Sequence, residues 1–158
     1  MKSRELSIWK LIVSGFGLGY SPVAPGTMGA IGAMGSAIVI LNFTPFPYLW
    51  LAGLSLCFTI LGIIGSNKLQ LQWGKDPSKI VIDEMVGMWI SILWIGPGWI
   101  SFFVAFILFR FFDIVKPLGI RKTEQLQGGW GVMADDILAG VYVNLIMQIV
   151  FRIIPDLI

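Results

Sequence analysis

The stretch Ile80-Val81-Ile82-Asp83-Glu84-Met85-Val86-Gly87-Met88-Trp89-Ile90-Ser91-Ile92-Leu93-Trp94-Ile95 is apolar apart from a carboxylate pair near its start, a glycine and a serine. It reads as a membrane helix near the short end of the usual range of about 17 to 25 residues. An aspartate at the centre of such a helix costs roughly 2.5 to 3.5 kcal/mol, and less near the interface. Asp83 and Glu84 therefore place their end of the helix at headgroup depth. They also call for a compensating partner, for which a divalent cation is the natural candidate.

The rest of the chain has the same character. Hydrophobic residues make up 56% of the 158 residues and charged residues 13%, and the mean hydropathy is +0.84. These values predict one integral-membrane domain over residues 1–158. A net charge of +2 is too small to suggest a nucleic-acid partner. The absence of histidine excludes histidine general-base and phosphohistidine chemistry and most transition-metal sites. Cys57, within Leu56-Cys57-Phe58, has no basic neighbour to activate it and reads as packing. No apolar core followed by a small-residue cleavage site marks a signal peptide, so residue 1 is expected to stay in the mature chain.

Four further apolar stretches flank the first: Met28 to Phe43, Tyr48 to Gly65, Trp99 to Val115, and about Ile137 to Ile154. Before them, Leu6, Trp9, Ile12, Val13 and Phe16 recur at helical spacing, which predicts an amphipathic helix on the membrane surface. The fold expected is thus an all-α polytopic bundle with about five spans and an interfacial N-terminal helix. Pro22 and Pro25 break any helix between the two parts, making Gly15 to Gly29 a loop. Lys2, Arg4 and Lys10, then Lys68, Lys75 and Lys79, then Lys116, Arg121 and Lys122 lie in the N-terminal segment and the two long linkers. The positive-inside rule puts all three in the cytoplasm and, with five spans, the carboxyl terminus outside.

That topology brings separated acids to one membrane face. Asp83 and Glu84 follow Lys79 by about 6 to 8 Å along an inward-starting helix. Asp113 falls in the last turn of the next span, which must stop before Pro117. Asp135 and Asp136 precede the fifth span on the same side, and the Pro22 to Thr27 loop lies there too. Gly87 and Gly140 follow Asp83 and Asp136 by four residues, so each shares its aspartate's helical face and admits a close neighbour. Oxygen ligands from several helices suit Mg²⁺. Arg110, Asp113 and Lys116 form an i, i+3 stripe that suits a phosphate beside a metal, although either cation could instead pair with Asp113 or reach headgroups. Gly128-Gly129-Trp130-Gly131 is expected to form a flexible lead into the last helix, with Asp135 and Asp136 in its first turn. Thr27 could cap the first span or offer its hydroxyl and nearby N–H groups to a phosphate.

Together, Pro22-Val23-Ala24-Pro25-Gly26-Thr27, Asp83-Glu84 with Gly87, Phe109-Arg110 with Asp113, Lys116 and Pro117, and Gly128-Gly129 with Gly131, Asp135, Asp136, Ala139 and Gly140 resemble the phosphatidylglycerophosphatase A family. The motifs stand in that family's order over about residues 15 to 140. The resemblance implies a bacterial inner-membrane enzyme that removes the terminal phosphate of phosphatidylglycerophosphate with Mg²⁺, giving phosphatidylglycerol. Its membrane partners would be the lipid substrate and surrounding lipids.

Neither a Cys-x5-Arg phosphatase loop nor an Asp-x-Asp nucleophile pattern occurs. Metal-assisted hydrolysis is therefore expected, with Asp83, Glu84, Asp113, Asp135 and Asp136 as ligands and catalytic groups. Thr27, Arg110 and Lys116 would bind phosphate. A covalent aspartyl-phosphate is the other route. An ion or metal transporter is the alternative class, but a transporter needs two openings. The outer halves, such as Trp89 to Ile95 and Ile100 to Phe106, carry no ionisable relay.

Overall fold

The computed structural model describes residues 3–74, 77–96 and 98–153. Lys2, Lys75 and Ile154, used in the topology above, lie outside the described residues. The described residues contain only helices: α1 (Ser3–Val13), α2 (Pro25–Phe43), α3 (Pro47–Trp73), α4 (Ile82–Ser91), α5 (Trp99–Val115), α6 (Ile120–Thr123) and α7 (Gly129–Ile153), with a 3₁₀ turn at Leu18–Tyr20. Helices α2, α3 and α7 are long and apolar enough to cross a membrane. Prolines start α2 and α3 at a position where the missing N–H costs nothing. Helix α5 stops at Val115 as Pro117 requires, with Lys116 turning the chain in a left-handed conformation.

Helix α4 departs from the expected span. At ten residues it is about 15 Å long, half of a hydrocarbon core of about 30 Å. It is buried along almost its whole length, with α7, α2 and α3 packed around it. The continuous hydrophobicity of 80–95 thus reflects enclosure by protein. Residues 92–94 form turns instead of further helix. Asn144 of α7 closes that end, its Nδ2 donating to the carbonyls of Leu93 at 2.7 Å and Ser91 at 3.4 Å. Trp89 Nε1 donates to the Ala33 carbonyl and to Ser36 Oγ, each at 3.0 Å, tying α4 to α2.

Helix α1 forms where the periodicity predicts, but its apolar face meets protein. Leu6, Trp9, Ile12 and Val13 turn toward the core, and Val13 and Trp9 pack over Gly65 of α3. Ile8 and Leu11 remain exposed.

The α4–α7 interface sets the site. A Cβ on Gly87 would lie 2.6 Å from the Asp136 carbonyl oxygen, and one on Gly140 would overlap the Gly87 carbonyl. Only glycine at both positions allows the backbones this close. The helices run parallel in fixed register: Asp83 beside Asp136, Gly87 beside Gly140, Ser91 beside Asn144.

Candidate active site

Holding α4 and α7 at van der Waals distance places the side chains one turn before the glycines next to each other. Asp83, Glu84 and Asp136 each offer a carboxylate oxygen within 4.8 Å of the other two. Three ionised carboxylates so close would repel by about 3 to 4 kcal/mol per pair at the effective dielectric of protein sites. Asp83 and Asp136 are nevertheless buried. Glu84 Oε2 and Asp136 Oδ1 are enclosed without any hydrogen-bond partner. Buried anionic oxygens without donors are costly, and a positive group placed among them would offset that cost. An all-oxygen donor set fits a hard divalent cation.

All five predicted carboxylates line one cleft of about 470 Å³, which Lys116 and Glu124 also line. They divide into two kinds. Asp83, Glu84 and Asp136 form the close trio, whereas Asp113 and Asp135 hold cations. Asp113 Oδ2 accepts from Arg110 Nη1 at 2.5 Å, the i, i+3 pair read from the stripe on α5. Lys116 Nζ donates to Asp135 at 2.5 Å and to Glu124 at 2.7 Å. Burial pulls the Lys116 pKa down, but the carboxylates of Asp135 and Glu124 outweigh it and hold the ammonium above the ordinary lysine range.

The Pro22 to Thr27 loop reaches the site through Gly26. A Cβ there would overlap the Glu84 carboxylate and come within 3.3 Å of Arg110 Nη1, so the bare backbone of α2 forms a wall against both. Of the two readings of Thr27, capping does not hold: Ala24 takes that position, Pro25 opens the helix, and Thr27 is half-buried in the first turn. It is not among the residues lining the cleft. Helix α7 likewise begins earlier than expected, at Gly129, so Asp135 and Asp136 stand about two turns inside it. The expected flexible lead is helix, its first N–H donated to Asn67 Oδ1 at 2.7 Å.

Glu124 is the cleft residue that the sequence reading passed over, and Asn67 and Asn144 are the residues it missed that fix the ends of α7 and α4. Glu124 carried the weakest signal, a single acid after Arg121 and Lys122 in a basic linker. Asn144 was more legible, because it extends the four-residue series Asp136, Gly140 along the face that meets α4.

The phosphatidylglycerophosphatase A family model matches residues 11–151. A Bacteroides thetaiotaomicron protein provisionally named a phosphatidylinositol-3-phosphatase is 53% identical, over 84% of this chain and 86% of its own. The phosphatidylglycerophosphatase A proteins of Escherichia coli and Haemophilus influenzae are 36% and 37% identical. They cover 84% and 87% of this chain and 77% and 85% of their own. No solved structure matches. With a family match that spans every residue of the cleft, the chain belongs to the phosphatidylglycerophosphatase A family of lipid phosphatases.

Proposed function

We propose that the cleft hydrolyses the terminal phosphate monoester of phosphatidylglycerophosphate, giving phosphatidylglycerol and inorganic phosphate, with Mg²⁺ held by Asp83, Glu84 and Asp136. The observation that carries this reading is the trio of carboxylates within 4.8 Å, two of them with enclosed oxygens that no protein donor meets. When bound, Mg²⁺ would offset phosphate charge and acidify a water molecule.

The chain's own residues supply the rest. An ammonium has three N–H donors; Asp135 and Glu124 engage two on Lys116, leaving one for a phosphate oxygen. Arg110 keeps donors beyond the one given to Asp113. Both cations then oppose the charge that builds on the equatorial oxygens. The water oxygen bonds to phosphorus as the bond from phosphorus to the glycerol oxygen breaks. A cleft carboxylate takes one proton from the attacking water, and the resulting carboxylic acid gives that proton to the departing glycerol oxygen, so the cleft gains and loses none overall. Asp113 and Asp135 orient the cations, and Thr27 contributes through the turn that carries Gly26.

In this reading the cleft faces the cytoplasm in a bacterial inner membrane. Lys68, Lys79, Lys116, Arg121 and Lys122 all fall at the ends of segments that share its side. The bilayer is crossed by α2, α3, the 80–95 segment, α5 and α7, with the 80–95 segment enclosed by the others and α1 at the surface.

A second substrate, phosphatidylinositol 3-phosphate, is favoured by the name of the 53% identical relative. It presents the same group, a phosphate monoester on a polyol headgroup. Phosphate release by the purified full chain, measured on both lipids with Mg²⁺ and with EDTA, tests the proposal. Faster release from phosphatidylglycerophosphate, abolished by EDTA, is expected. No release from it by folded protein sinks the reading.

A further inference from the structure

Two lysines outside the cleft converge on one indole. Lys10, in the last turn of α1, lies 5.7 Å from the centroid of the Trp73 ring. Lys79, from the linker before α4, lies 5.9 Å from the same ring and 5.9 Å from the Tyr20 ring. Tyr20 meets Trp73 edge-on at 6.3 Å. The arrangement is fixed by backbone: the Lys79 carbonyl packs on Gly19, where a Cβ would overlap it, and Val81 N–H donates to the Val13 carbonyl at 2.9 Å.

A nearby site of the same type shows what is missing. Lys68 lies 5.0 Å from the Trp9 ring, and its charge is answered by Glu5 at 2.8 Å. Among the described residues no carboxylate pairs with Lys10 or Lys79. Lys10 and Lys79 share the Trp73 ring with no carboxylate between them among the described residues, while Tyr20 and Lys79 stand exposed. Lysine beside tryptophan and tyrosine is the composition of a headgroup layer, in which the rings sit at the interface and the ammonium groups meet lipid phosphates.

The geometry points to an anionic-phospholipid site formed by Lys10, Lys79, Trp73 and Tyr20, separate from the catalytic cleft and taking a lipid that does not react. The headgroup phosphate bridges the two ammonium groups, and the aromatic rings bound it on the protein side. The site adjoins the cleft, because Ser78 and Ile80, on either side of Lys79, both line it. A lipid held here also braces the linker that leads into Asp83 and Glu84.

Native mass spectrometry of the full chain in detergent, with phosphatidylserine and phosphatidylcholine in equal amounts, reads the preference. Two lysines at a headgroup layer correspond to roughly a 30-fold excess of phosphatidylserine adducts, and each single variant, Lys10→Gln or Lys79→Gln, to roughly a fivefold loss. The paired Lys10→Arg and Lys79→Arg variant keeps the excess. Lys122→Gln, on the exposed side of α6, also keeps it. Hydrolysis of a short-chain substrate in micelles by the glutamine variants at the wild-type rate excludes misfolding. Unchanged preference in both glutamine variants overturns the site, as does loss in Lys122→Gln of the same size. Displacement of phosphatidylserine by equimolar inorganic phosphate overturns its assignment to a lipid.

Discussion

Gly87 faces Gly140 at the crossing of α4 and α7, one helical turn beyond Asp83 and Asp136. The contact is so close that a side chain on Gly140 meets the carbonyl of Gly87, which cannot give way as a flexible side chain would. Gly140→Val should therefore separate the helices and the carboxylates with them. Overpacking of this kind costs about 1 to 3 kcal/mol, occasionally more. The expected outcome is a lowered Tm with retained helical circular dichroism and a larger proportional loss of phosphate release than of folded protein.

The trio of acids opposes stability, and under the proposed function it holds the metal. Asp83→Asn or Asp136→Asn should abolish phosphate release, while relief of like-charge repulsion raises the Tm measured in EDTA. In the wild type Mg²⁺ should raise the Tm, by the equivalent of about 2.7 kcal/mol at a hundred times its Kd. Either variant should lose most of that increment. A Tm of the wild type indifferent to Mg²⁺ contradicts the assignment of these residues.

Lys116 should remain charged throughout the working range. Its pKa is raised in the folded chain, so what its pairing contributes is fully present below the ordinary lysine value of about 10.4 and is lost as pH rises through the higher folded value. No alkaline loss of activity below about pH 10 should come from this residue. Lys116→Met should lower kcat by about 100-fold, the scale of losing one charge-stabilising donor. Glu124→Gln, which frees a donor on Lys116, should change KM more than kcat in initial-rate measurements.

Asn144 tests the closed end of α4 without touching the cleft. Asn144→Leu leaves the carbonyls of Ser91 and Leu93 without their donor, at a cost of about 1 to 3 kcal/mol. Thermal melts should show that loss. Activity per folded molecule should fall less than in Gly140→Val, because the crossing remains.

Much of this site was legible because two simple periods carried it. The spacing of Asp83 to Gly87 and Asp136 to Gly140 announced two helices with acids above small residues, and Pro117 announced where α5 ends. The three-residue step from Arg110 to Asp113 became an ion pair. Other features depended on tertiary contacts that no local pattern encodes. Gly129 and Gly131 looked like a flexible loop, yet they lie in the first turn of α7, where Asn67, far away in sequence, caps the backbone. The segment 80–95 read as one continuous helix in lipid, yet only Ile82–Ser91 is helix and it is enclosed by protein, because hydropathy does not separate burial in protein from burial in lipid. Glu124 joined the cleft only through the fold of the linker that returns it to Lys116.

Because α4 is sheathed by α2, α3 and α7, bilayer thickness and tail composition act first on those outer helices. A change in membrane thickness is taken up by tilt or local thinning around the long helices. The short inner helix rides with α7 through the glycine crossing, so two of its acids and Asp136 keep their mutual distance. The carboxylate trio is in this way mechanically insulated from the lipid that, in the proposed reaction, delivers the substrate.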